Sequence, residues 1–160
     1  KTAYEIGVRL VGSEMCIRDS PHPDPIGKEL TIDAISFSEW IYFKFIDDDT
    51  LDVVMPDIKF CGCPIEAFLI GKTLEAKKEK SVSMHCPSGP LSLLASAHST
   101  LAFNNTLPLE HAVYEIDWRN EVLFPNENIV GDMFVIPDGY GLGAQIDPLI
   151  VHKHGSFWTE

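Results

Sequence analysis

Three short apolar runs each close on an acid or a base: Leu51-Asp-Val-Val-Met-Pro-Asp57, Ser81-Val-Ser-Met-His85 and Leu107-Pro-Leu-Glu110. Carboxylates and imidazole are side chains that take up and release protons during catalysis. The closing residues stand 28 and 25 positions apart. That is near the roughly 30 residues per strand-helix unit of a (β/α)8 barrel of about 250 residues, in which catalytic groups sit at the C-terminal ends of strands. On this reading Asp57, His85 and Glu110 share one rim.

Each residue alone has a plainer reading. Asp57 after Pro56 suits a turn or a helix cap, His85 a satisfied strand-end histidine, and Glu110 a solvated loop carboxylate. Their common place at three successive strand ends favours a site. His98 falls within an apolar helix and reads as packed or rim-lying. His111 adjoins Glu110 and lines a pocket edge, whereas His152 and His154 lie in a polar tail with little signal.

The intervening segments supply the elements that such a rim needs. Pro64 to Lys80 is predicted as an amphipathic helix, with Ile65, Phe68, Leu69 and Leu74 apolar and lysines gathered toward its end. Pro64 suits a first helical turn, and the lysines suit the negative end of the dipole. Leu91 to Phe103 reads as a second, more apolar and more buried helix, ended by Asn104-Asn105. Strand, helix, strand, helix, strand gives an α/β class with a parallel sheet.

Four ordered motifs then resemble the C-terminal half of the enolase superfamily: Val54-Met-Pro-Asp-Ile-Lys-Phe-Cys-Gly62, Met84-His-Cys-Pro-Ser-Gly-Pro90, Pro108-Leu-Glu-His111 and Pro137-Asp-Gly-Tyr-Gly-Leu-Gly143. Within it they are similar to the mandelate racemase subgroup and its acid-sugar dehydratases, such as galactonate dehydratase, over roughly residues 30 to 150. The resemblance implies a partial TIM-type barrel, about strands 5 to 8, with a C-terminal piece of the capping region. It places the barrel part at residues 21–125 and the returning segment at 126–160, with Phe134 to Gly143 a short strand and a glycine-rich turn.

It also implies roles. Relatives of this kind remove the proton α to a carboxylate and hold the enediolate on Mg²⁺. By that likeness His85 is the general base or acid, Asp57 its dyad partner and Glu110 a group that polarises or hydrogen-bonds the substrate carboxylate. A histidine can take a carbon-bound proton and give one to a departing hydroxyl, and a neighbouring carboxylate raises its basicity. Muconate-lactonizing relatives have a lysine where Asp57 stands, so a dehydratase or racemase is favoured. Lys59 is given only a minor supporting role. Of the three acidic metal ligands of the family, the only counterpart is Glu39, at the end of Leu30-Thr-Ile-Asp-Ala-Ile-Ser-Phe-Ser-Glu39, with Asp33 as alternative and a helix-start glutamate as the plainer reading. Cys63 departs from the family, which has a second glycine there.

The expected function is thus that of a fragment of a Mg²⁺-dependent acid-sugar dehydratase, itself inactive, acting in the parent on a small sugar acid. A racemase or epimerase of the same subgroup is the runner-up, and a noncatalytic fragment or binding module the third reading. Zinc on Cys61, Cys63, His85 and Cys86 is a rival by donor chemistry, but C-x-C with a lone His-Cys is not a usual zinc pattern.

Composition bounds these readings. A formal net charge of −12 argues against a nucleic-acid partner. No apolar stretch nears the 18 or so residues of a membrane span. Four cysteines without a secretory signal suit a reducing cytoplasm. A homo-oligomeric parent is compatible with the resemblance. At 160 residues, with 45% hydrophobic, the chain can bury one core but falls short of a whole barrel, hence a fragment. Val11-Gly-Ser-Glu-Met-Cys-Ile-Arg-Asp-Ser20 resembles a translated sequencing-adapter peptide, so residues 1–20 are expected to be an artefact and not a domain, followed by the extended Ser20-Pro-His-Pro-Asp-Pro25.

Overall fold

The computed structural model describes residues 5–11, 31–33, 52–77, 80–112 and 116–156. Strands β2 (Thr31–Asp33), β3 (Val53–Met55) and β4 (Ser81–Val82) form a parallel sheet in that order. Helix α1 (Pro64–Glu75) joins β3 to β4, and helix α2 (Pro90–Thr100) joins β4 to β5 (Leu109–Ala112). A parallel bridge between Val82 and Thr106 carries the series toward β5. This is the expected α/β alternation of a partial (β/α)8 barrel.

The register is what positions the site. Val53 pairs with Ser81 and Val54 with Val82, and the same offset returns beyond the strands in a parallel bridge between Asp57 and His85. Backbone bonds from Ser83 N to Val54 O, at 3.1 Å, and from His85 N to Pro56 O, at 3.0 Å, keep the two segments in step between these points. The spacing of 28 residues noted in the sequence is therefore the register of a ladder. It brings two strand ends level.

The helices cover one side of this sheet. Val54, Val82, Met84 and Leu109 from the strand segments are buried with Ala67, Ile70 and Leu74 of α1 and Leu93, Leu94 and Ala97 of α2. Both helices start on proline, at a position whose N–H has no intrahelical partner in any case. In α2 eight of the eleven positions are buried. Its polar side chains bond back along the helix, Ser99 Oγ to Ala95 O and Thr100 Oγ1 to Ser96 O.

In α1 the inward face differs from the expected one. Ala67, Ile70, Gly71 and Leu74 are buried, while Ile65, Phe68 and Leu69 are exposed. The two stripes have the same i, i+3, i+4 spacing, and the sheet takes the one whose small residues permit close approach. The Phe103 ring lies where a Cβ on Gly71 would stand. The helix also stops earlier than predicted, at Glu75, because the Glu75 carboxylate accepts the Asn104 N–H at 2.7 Å and the Lys72 ammonium, fixing the turn that leads back to β4.

After β5 the chain forms short antiparallel pairs. Strand β6 (Leu123–Phe124) pairs with β9 (Gln145–Ile146), and β7 (Ile129–Val130) with β8 (Met133–Val135). Between β8 and β9 the chain turns through Gly139, Gly141 and Gly143, all at positive φ, the glycine-rich turn expected there. Helix α3 (Pro148–His154) follows, capped by Asp147 Oδ1 on Leu149 N. Strand β1 (Glu5–Val11), within the segment set aside as adapter-like, lies between β5 and β8, parallel to the former and antiparallel to the latter. Such pairing runs through backbone groups and asks little of side-chain identity beyond alternation. It is compatible with an adapter-derived sequence.

Candidate active site

Asp57 follows Pro56 at the end of β3 and is almost fully buried. Its Oδ1 accepts the Lys59 N–H at 2.8 Å, and its carbonyl accepts the N–H groups of Phe60 and Cys61. This tight turn runs into α1 through Gly62, whose φ of 116° is one that L side chains rarely adopt. The turn fixes the carboxylate and leaves Oδ2 toward the next strand end. There His85 Nδ1 lies 3.3 Å from it.

The third group comes from β5. Glu110 Oε2 accepts the Cys86 N–H at 2.9 Å and stands 3.8 Å from His85 Nε2. The imidazole thus has a carboxylate toward each nitrogen. Of the three side chains His85 is the most exposed, at 12%, against 1% for Asp57 and 6% for Glu110. The arrangement can hold a proton on Nδ1 against Asp57 while Nε2, on the Glu110 side, meets a reactant. Distances of 3.3 and 3.8 Å are longer than a tight hydrogen bond, as is common before substrate binds.

A second polar layer lies behind this one, and it was not foreseen. Arg119, buried, grips Glu127 with Nε and one terminal nitrogen, each at 3.0 Å, while its other terminal nitrogen donates to Ser88 O at 2.8 Å. Ser88 belongs to the loop that carries His85 and Cys86. His111, next to Glu110, places Nε2 3.9 Å from the same Glu127. Burial pushes the Glu127 carboxyl upward, but the nearby His111 ring and the hydrogen bonds and charge of the Arg119 guanidinium outweigh it and leave the group below its ordinary range. The sequence offered no signal for this pair, since Arg119 sits in a single 3-10 turn (Arg119–Glu121) and Glu127 in a loop.

Two further histidines make contacts away from the site. His98 bonds Leu142 O through Nε2 at 2.9 Å, tying α2 to the glycine-rich turn, in line with a packed or rim residue. His154 stacks on Trp118 with ring centroids 4.4 Å apart. The thiols of Cys61 and Cys86 are pushed up by burial, to about 11 and about 12. Zinc would need them as thiolates.

Among the described residues no three His, Cys, Asp or Glu side chains are grouped to hold a metal ion. Asp57, His85 and Glu110 do not by themselves fit Mg²⁺ either. That ion asks for near-octahedral oxygens, whereas here one carboxylate is committed to the imidazole and the Lys59 N–H and the other to the Cys86 N–H. Glu39 lies outside the described residues. Asp33 is in β2, where its backbone pairs with Met55.

Polar groups converging at the ends of parallel strands, with helices covering the other side, define the C-terminal part of an α/β barrel. Over residues 29–150 the chain matches the Enolase C-terminal domain-like family, and it belongs to that family. It is 29% identical to D-xylonate dehydratase of Haloferax volcanii over 129 residues, covering 78% of this chain and 31% of the relative. It is 25% identical to D-galactonate dehydratase of Pectobacterium atrosepticum over 122 residues, covering 72% of this chain and 31% of the relative. A solved enolase of the mandelate racemase subgroup from Agrobacterium tumefaciens aligns with a TM-score of 0.69 at 28% identity, covering 78% of this chain and 33% of that one. The subgroup expected from the four motifs is the one these likenesses support. The chain spans about a third of the length of the curated relatives it matches. Among the described residues no helix is long and apolar enough to cross a membrane.

Proposed function

We propose that this chain is part of an acid-sugar dehydratase, a carbon-oxygen lyase, in which His85 moves the proton. The observation that carries the reading is the imidazole of His85 set between Asp57 Oδ2 at 3.3 Å and Glu110 Oε2 at 3.8 Å. Likeness to the D-xylonate and D-galactonate dehydratases supports the substrate class, an aldonate or aldarate.

Dehydration removes the proton α to the carboxylate and expels the β-hydroxyl as water, leaving an enol that becomes a 2-keto-3-deoxy acid. His85 would exchange protons through Nε2. Asp57 on Nδ1 would orient the ring and stabilise its protonated form, and a general acid-base group of this kind contributes about 10² to 10⁴-fold. Glu110 would face the substrate carboxylate or the enediolate oxygens. The Mg²⁺ implied by the family would have to be held outside these three groups, with Glu39 as the sequence candidate. The free thiols of Cys61, Cys63 and Cys86 support a reducing, cytoplasmic setting.

The test is a library of acid sugars assayed for 2-keto-3-deoxy products with the longer enzyme. His85→Asn should lower turnover by at least about 10²-fold, while Asp57→Asn should leave a measurable remnant, since the ring keeps its place and loses only its tuning. Full activity without His85 would overturn the reading, and epimerised sugars in place of dehydrated ones would turn it into a racemase.

A further inference from the structure

Lys59 stands in the turn after β3, next to the acid-base pair, and the steps above do not use it. Its ammonium lies 3.8 Å from Asp57 Oδ2, the oxygen that faces His85 Nδ1 at 3.3 Å. Its backbone N–H holds the other oxygen, Oδ1, at 2.8 Å. One residue therefore meets both oxygens of the carboxylate. Its side chain is 43% exposed while that of Asp57 is 1% exposed, so this cation reaches a buried anion from the solvent side.

We propose that Lys59 is a positioning residue for the acid-base pair: its ammonium shares Asp57 Oδ2 with the imidazole and thereby sets the pH at which His85 exchanges its proton. This rests on the reading of His85 as the proton-transfer group. Two effects act in the same direction. A lysine charge on Oδ2 draws on the field that Asp57 offers the imidazolium, and it also repels the imidazolium directly. Both disfavour the protonated ring. Among the described residues Glu110, from β5, also faces His85; it acts oppositely and is unchanged by substitutions at Lys59. The neighbouring Cys61 and Cys86 thiols stay protonated and neutral through the range of the test.

The experiment is an NMR pH titration of the imidazole signals of the 160-residue chain, with the His85 resonance identified by its disappearance in His85→Gln. Lys59→Gln should raise the His85 midpoint by about 0.2 to 0.7 pH unit, the range for a partly exposed ion pair, and Lys59→Arg should keep it near the wild-type value. Added salt screens the net charge of −12 and so lowers the midpoint in wild type and Lys59→Gln alike, but it should lower it less in the wild type, where it also screens the Lys59 ammonium on the solvent side. A midpoint that is unchanged or lower in Lys59→Gln would overturn the proposal, as would a salt dependence that is the same in both chains. The titration reads Lys59 whether or not His85 proves essential for turnover, so the two readings fail separately.

Discussion

Glu110 accepts the backbone N–H of Cys86 at 2.9 Å, so the last acid of the site is bonded to the residue directly after its histidine. One carboxylate oxygen thus faces His85 Nε2 and also satisfies a buried donor. Function and stability are coupled there. Glu110→Ala leaves the Cys86 N–H without this acceptor and should destabilise the chain by about 1–3 kcal/mol, whereas Glu110→Gln keeps an acceptor oxygen and should lose less. Urea unfolding of both variants checks this. Equal stability of the alanine variant and the wild type would show that the bond contributes nothing.

The strand ends were legible because each apolar run stops on a polar residue, and because the ladder register equals the sequence spacing. Spacing alone put Asp57, His85 and Glu110 on one rim, and the resemblance to the family paired the first two. The face of α1 was not legible. Ile65, Phe68 and Leu69 outweigh Ala67 and Gly71 in hydrophobicity, yet contact with the Phe103 ring selects small residues, and Phe103 lies after the next helix. The Arg119–Glu127 clamp was hidden for a related reason. Arg119 lies in a single 3-10 turn and Glu127 in a loop, and their neighbours Ser88 and His111 belong to other segments, so nothing periodic marks them.

Contact between α1 and the segment after α2 makes a sharp prediction at Gly71. Alanine there gains about 1 kcal/mol of helix propensity, but its methyl would overlap the Phe103 ring, which is buried and cannot swing into solvent. Overpacking of that kind costs about 1–3 kcal/mol. Gly71→Ala should therefore be destabilising in the wild-type background and neutral or stabilising with Phe103→Leu, because the smaller side chain vacates the space. A double-mutant cycle from urea midpoints measures the coupling. Additive effects would mean that the two groups do not meet.

The Arg119–Glu127 pair contributes to the pH dependence of the fold on the acid side. Against burial, the nearby His111 ring and the hydrogen bonds and charge of Arg119 hold the folded Glu127 below the ordinary value of 4.5. A carboxyl with a lowered folded value contributes stability that is present above its unfolded value and is lost as pH falls through the folded one. Arg119→Met removes the guanidinium and leaves burial, the largest influence and one that raises the carboxyl, with the His111 ring still opposing it. The folded value should rise, and the stability that ionised Glu127 contributes at neutral pH should fall. Both side chains are nearly buried, so loss of one partner should cost about 3–5 kcal/mol near pH 7. That cost should shrink as pH falls toward and below 4.5. Urea midpoints of wild type and variant between about pH 4 and 7.5 test this, with Glu127→Gln as the uncharged comparison. A cost that stays constant across the range would show that Arg119 acts by filling space and by holding Ser88 O, and that its charge on Glu127 is immaterial.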